Sequence, residues 1–139
     1  MQLPEDIYQR IVAAKLFMDE HYHESIDLGE ISGQAFLSRF HFHRLFTRIY
    51  RSTPHRYLTR RRMDKARDLL AQEGLSVSEI CTSVGFESIG SFSTLFKKET
   101  GIGPQHYRNL RIVQQQQAKA QPRTFIPHCF IEGYKLNRQ

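Results

Sequence analysis

The chain contains no tryptophan, and only two of its 139 residues are cysteine, Cys81 and Cys129. So distant a pair matches neither the disulfide framework of a small secreted domain nor the ligand spacing of a zinc site, which leaves two reduced thiols. Also missing is any run of about 18 apolar residues, the length a spanning helix needs. The opening MQLPEDIYQR lacks the apolar segment of an export signal. These absences predict a soluble, unexported, cytoplasmic protein with no membrane contact.

Chemistry-bearing motifs are equally scarce. There is no glycine-rich phosphate loop or dinucleotide fingerprint. Asp27, Glu30, Glu79 and Glu87 sit where helices are expected to begin, and the helix dipole accounts for acids there without a catalytic role. His21 with His23, and His41 with His43, invite a metal, but residues two apart on a helix point about 200° away from each other. No further ligands lie at useful spacing. The expectation is a protein with no catalytic residues, no metal and no cofactor.

Acidic residues are absent altogether from Ile31 through Met63. The same window holds Arg39, Arg44, Arg48, Arg51, Arg56, Arg60, Arg61 and Arg62 and not one lysine. Lysine would serve a merely solvated face as well. Arginine alone favours planar, two-point contacts with phosphate and with guanine edges. The net charge of +6 and the isoelectric point near 9.6 agree with an anionic partner.

What the chain does have is a repeat. Ser38-x3-Phe42-x2-Leu45-Phe46-x7-Pro54-x2-Tyr57 returns as Ser88-x3-Phe92-x2-Leu95-Phe96-x7-Pro104-x2-Tyr107. A Ser at a helix start, apolar residues at i, i+3 and i+4, and a Pro opening the next helix define one supersecondary unit built twice. Upstream of each Ser lies a shorter apolar pattern, Leu28-x2-Ile31 and Val77-x2-Ile80-Cys81. Short helix, tight turn and longer helix make a helix-turn-helix.

The remaining elements follow from spacing. Pro4 stands at a first helical position, with Ile7, Ile11, Ala14, Met18 and Tyr22 as the inward stripe of a helix to about Tyr22. Asp27 with Glu30 and Ser76 with Glu79 read as capping boxes. The short helix after Asp27 carries Gly29 and Gly33, each costing about 1 kcal/mol against Ala. Thr53-Pro54 opens a linker helix to about Ala71, with Leu58, Ala66, Leu69 and Leu70 on one stripe and a length of about 27 Å. Gly85 supplies a turn, Gly101 a helix stop, and Gly103-Pro104 the start of the next helix. Beyond Val113 a glutamine-rich stretch reads as a polar helical extension or a linker, and residues 125–134 form a small apolar island whose role stays open. The reading is all-α, about seven helices: a first helix-turn-helix subdomain over 1–53, a linker helix over 54–72, a second subdomain over 73–112, and a polar extension and tail over 113–139.

Arg62-Met63-x2-Ala66-x2-Leu69-Leu70, followed by Ser78-Glu79-Ile80-Cys81-x2-Val84-Gly85-Phe86-Glu87-Ser88-x3-Phe92-Ser93-x-Leu95-Phe96-Lys97-Lys98-x2-Gly101-x2-Pro104-x2-Tyr107-Arg108, resembles the AraC/XylS family of bacterial transcription regulators. The resemblance runs from about Tyr8 to Arg108. It implies two homeodomain-like helix-turn-helix subdomains on a rigid linker helix, with recognition helices near 38–50 and 88–100 entering successive major grooves about 34 Å apart. It also implies a regulator that activates or represses promoters, often by touching RNA polymerase. Many relatives carry a separate effector or dimerisation domain, for which 139 residues leave no room. The chain is therefore either a regulator acting alone, which Met1 ahead of the first helix favours, or the DNA-binding part of a larger one. A monomer is expected. A non-specific architectural DNA-binding protein is the contrasting possibility.

Arg51 stands where the second unit has Gly101, and Thr94 where family members often have Arg. With Gly90, Ser91 and Ser93 it makes the second recognition helix short-reaching. Arg39, Phe40, His43 and Arg44 of the first unit, and Gly90, Ser91, Ser93 and Thr94 of the second, are the candidate base readers, with the first unit carrying most of the direct readout. Phe40 could touch a thymine methyl. Of the remaining phenylalanines, Phe36, Phe42, Phe46, Phe86, Phe92 and Phe96 are assigned to core or turn positions, and His41 to packing near the turn. Ser38, Arg48, Arg56, Arg60, Arg61, Ser88, Lys97, Lys98 and Arg108 are the candidate phosphate contacts. Arg62, on the apolar side of the linker helix, is expected to tie that helix to the first unit instead.

Overall fold

In a computed structural model of the chain, the structure describes residues 3–120; the apolar island and Cys129 lie outside them. Seven helices and no strand occur among the described residues. They are α1 (Glu5–His21), α2 (Leu28–Gln34), α3 (Arg39–Tyr50), α4 (Pro54–Leu70), α5 (Val77–Ser83), α6 (Ile89–Thr100) and α7 (Pro104–Ala120). The chain divides into two compact units between Lys65 and Ala66, inside α4. The glutamine-rich stretch takes the helical alternative: α7 continues to Ala120, and Gln115 Nε2 donates to Ala71 O at 3.1 Å.

Local chemistry places the helix starts. Asp27, Ser38, Ser76 and Ser88 each accept a backbone N–H three residues on, satisfying one of the donors a helix N-terminus leaves unpaired. At α5 both arms of the capping box close, with Ser76 N donating to Glu79 Oε1 at 3.0 Å and Glu79 N to Ser76 Oγ at 3.0 Å. Pro4 departs from expectation by one position. With ψ at 143° it is the residue before α1 rather than its first, and its carbonyl accepts Tyr8 N–H.

The same core is built in each unit. In the first, Ile11, Ala14 and Met18 of α1 meet Ile31 and Ala35, Phe42 and Phe46 of α3, and Leu58 of α4. In the second, Ala66, Leu70, Ile80, Cys81, Val84, Phe92 and Phe96 are buried. The aromatic pairs match: Phe42–Phe46 at 5.5 Å and Phe46–Tyr57 at 5.6 Å in one unit, Phe92–Phe96 at 5.7 Å and Phe96–Tyr107 at 5.3 Å in the other. Both Tyr contacts are edge-on, the arrangement that ring quadrupoles prefer. Met63 is buried on α4, whereas Leu69, expected there, is only half-buried.

The units differ where the chain turns. α3 ends on Arg51 at φ 60°, and α6 on Gly101 at φ 91°. The first helix-turn-helix turns through Phe36 at φ 55°, the second through Gly85 at φ 104°. The left-handed conformation crowds a Cβ, so the first unit holds two residues in a region that glycine enters freely. Of the core and turn positions expected for it, Phe36 takes the turn, and its ring is 83% exposed.

The two helical glycines of α2 differ from each other. A Cβ on Gly33 would meet nothing within 4 Å, while one on Gly29 would stand 3.3 Å from Asp27 Oδ1, the oxygen that caps the helix. Gly33→Ala is expected to raise stability by about 0.5–1 kcal/mol, and Gly29→Ala by less. Arg51→Gly should raise it by about 1 kcal/mol through relief at the left-handed cap. Urea midpoints of the single variants measure all three; a fall for Gly33→Ala contradicts the open surroundings of that residue.

Candidate nucleic-acid interface

With Phe42 and Phe46 drawn inward, the helical period of α3 turns Arg39, Phe40, His43, Arg44 and Arg48 outward, and all five are exposed. They line an open groove with Leu28 and Thr47. No carboxylate lies on α3. Thr47 Oγ1 is turned back on the helix, donating to His43 O at 2.7 Å. Arg44 lies over the ring of Phe40, with its guanidinium carbon 5.5 Å from the ring centre. His41, expected to pack near the turn, is exposed instead.

On α6 of the second unit, Gly90, Ser91 and Thr94 are exposed, and Ser93 is half-buried. Ser88 accepts Ser91 N–H at 3.1 Å and its hydroxyl contacts Ser91 Oγ at 2.9 Å, so these two side chains occupy each other. Lys97 and Lys98 stand exposed at the far end of the helix. The outward face is short and uncharged at its start and carries Lys97, Lys98 and Glu99 at its end.

The arginines proposed for phosphates sort into two groups. Arg48, Arg56 and Arg60 are exposed. Arg108 is not available in that way. Its Nε donates to Leu70 O at 3.0 Å, and its Nη2 to Gln72 O at 3.0 Å and Leu69 O at 3.4 Å. It closes the carbonyl end of α4, where helix C-termini leave acceptors unpaired. Arg61 also departs from expectation. Its Nε lies 3.3 Å from Asp19 Oδ1 and its guanidinium 5.3 Å over the Tyr22 ring. That Nε is buried and misses hydrogen-bond geometry, so the contact with Asp19 is coulombic. Arg62 behaves as expected, donating to Tyr22 O at 2.6 Å and Glu24 O at 3.0 Å, beyond the end of α1.

Asp19 was missed in the sequence, and it is the polar centre of the first unit. Its carboxylate accepts the Tyr57 hydroxyl and pairs with Lys15 Nζ at 2.9 Å as well as with Arg61. Burial, then the bond to Asp19, raises the Tyr57 phenol above its ordinary value. The second unit has a counterpart: Tyr107, raised mainly by burial, lies in the field of Arg111 and Asp68. The signal was present, because Asp19 and Asp68 are 49 residues apart and Arg61 and Arg111 are 50 apart, the offsets of the flanking repeat. Among the described residues no group of three or more His, Cys, Asp or Glu is placed to hold a metal, and no helix is long and apolar enough to cross a membrane.

A family profile described as a helix-turn-helix domain matches residues 31–110. The chain is 34% identical over 92 residues to a probable transcriptional regulator, LumQ of Photobacterium leiognathi, covering 66% of this chain and 37% of that protein. It spans only about a third of the length of the curated relatives it matches. Among solved structures it is similar to the DNA-binding domain of AdpA, a global transcriptional factor crystallised in complex with a target DNA. The TM-score is 0.73 and the identity 28%, over 77% of this chain and 96% of that one. It is also similar to a transcriptional regulator with an AraC-type DNA-binding domain from Chromobacterium violaceum. There the TM-score is 0.69 and the identity 27%, over 76% and 94% of the two chains.

The Asp19 centre makes a prediction about alkaline pH. A phenol whose folded-state pKa is raised stabilises the fold fully below its unfolded value of about 10. That contribution declines as pH rises from there toward the folded value, because only the unfolded chain then ionises. Melting temperature should therefore fall above about pH 10, and Tyr57→Phe should make the fall shallower while lowering stability at pH 7. An unchanged slope in Tyr57→Phe would assign the alkaline loss to other groups.

Proposed function

The chain belongs to the AraC/XylS family of helix-turn-helix, DNA-binding transcription regulators, and on that premise we propose that it binds double-stranded promoter DNA sequence-specifically, each recognition helix entering a major groove. The observation that carries this reading is the outward face of α3, where arginines, a histidine and an exposed phenylalanine gather without a carboxylate. Duplex DNA presents guanine acceptors and thymine methyls in the major groove, and these side-chain types match them.

The division of labour follows from reach. Arg39, His43 and Arg44 read bases, with Phe40 beside Arg44 on the same face, while Gly90, Ser91, Ser93 and Thr94 let the second helix approach closely and read shape more than base edges. Arg48, Arg56, Arg60, Lys97 and Lys98 neutralise phosphates, with Ser38 and Ser88 at the helix N-termini that face the backbone. Two helix-turn-helix units in one chain make a monomer sufficient for binding. A promoter so occupied is regulated by contact with, or exclusion of, RNA polymerase, and the protein acts without catalysis. Since the chain covers only part of its relatives' length, the same DNA-binding role also fits a portion of a larger regulator.

Selection of bound duplexes from a random library tests specificity directly. A recovered motif supports a regulator, and a library returned without one indicates an architectural DNA-binding protein. On the recovered duplex, five phosphate contacts predict a slope of about −4 to −5 for log affinity against log salt. Arg44→Ala should cost about 1–3 kcal/mol and relax preference at one or two base pairs, whereas Lys97→Ala should weaken all sequences alike. Equal loss on specific and random duplexes for Arg44→Ala would remove it from the base readers.

A further inference from the structure

Phe40 and Arg44 form a pair that the core does not use. Phe40 is 71% exposed, so partial burial does not account for a phenyl ring at that position. The guanidinium of Arg44, one helical turn on, lies within range of cation–π attraction. The i, i+4 spacing lets α3 set up this contact by itself, before any DNA arrives. At the offset that relates Phe42 to Phe92 and Phe46 to Phe96, the second unit has Gly90 and Thr94. Two copies of one helix therefore keep the same buried rings, and only one carries the exposed pair.

We propose that Phe40 is a positioning residue for Arg44: its ring holds the guanidinium plane above α3, so that the two-donor fork is oriented before it meets a guanine edge. The proposal rests on the DNA-reading function of α3. A free arginine loses rotamer freedom when it docks, and a stacked one has already lost much of it. Two-point reading of guanine O6 and N7 also demands a fixed plane, which a ring face supplies. Phe40 thus contributes to specificity through Arg44 rather than by its own contact with a base.

The test is a double-mutant cycle on the duplex recovered by selection, together with its single-base-pair variants. Phe40→Leu should leave the melting temperature close to wild type, because the ring is exposed, and weaken binding roughly 2- to 5-fold. That loss should be confined to discrimination at the base pair that Arg44→Ala ceases to distinguish. In an Arg44→Ala background Phe40→Leu should have no further effect, and Phe40→Tyr, which keeps the ring face, should bind as wild type does. An equal loss from Phe40→Leu in both backgrounds would overturn the proposal and assign Phe40 a base contact of its own. If Arg44→Ala leaves discrimination intact at every position, the base-reading role of Arg44 fails, and the proposal fails with it. If wild type recovers no motif, sequence-specific binding itself fails.

Discussion

One carboxylate, that of Asp19 on α1, holds the tyrosine that floors the first recognition helix. Tyr57 packs edge-on against Phe46 and close to Tyr50, both on α3, and its hydroxyl ends on Asp19. The Asp19 side chain is 21% exposed, so water hydrates its charge only in part and the carboxylate depends on its protein partners. Lys15 and Arg61 supply the positive charge that makes the site tolerable. Because the rings beneath α3 fix its rotation about its own axis, the direction in which Arg39, Phe40, His43 and Arg44 project depends on this node.

Arginine does two different jobs in this chain. Some, like Arg62 and Arg108, gather backbone carbonyls at the ends of helices, a task suited to a rigid fork with several donors. Others stay in water on α3 and α4 and give the first unit its positive face. Residue type does not separate these groups. What separates them is whether a helix end or a carboxylate folds to within reach.

The two units share the buried rings, a side-chain cap at each helix-turn-helix start and a tyrosine packed edge-on against the second ring, and differ in the turns and the outward faces. In the second unit both left-handed positions are glycine, and in the first they are Phe36 and Arg51. Strain and side-chain reach are thus concentrated in the same unit. This pattern is expected where a surface residue serves recognition and the backbone conformation is held by its surroundings.

Helix number, the helix starts (α1 to within one residue), the paired phenylalanines and the outward set on α3 were legible in the amino-acid sequence, since each rests on spacing within a few residues. Ser38 and Ser88 mark their helices because a hydroxyl reaches an N–H three residues on, whatever the rest of the chain does. The intramolecular partners of Arg61 and Arg108 were not legible for the opposite reason, lying 42 and 36–39 residues away. The exposure of Phe36 and the left-handed cap at Arg51 were hidden as well, because both depend on how two helices meet at a turn. Sequence alone thus determined that the chain builds one helix-turn-helix unit twice and that arginine crowds the first. Tertiary structure decided which arginines remain free for a partner, because a guanidinium is committed only when folding brings an acceptor to it.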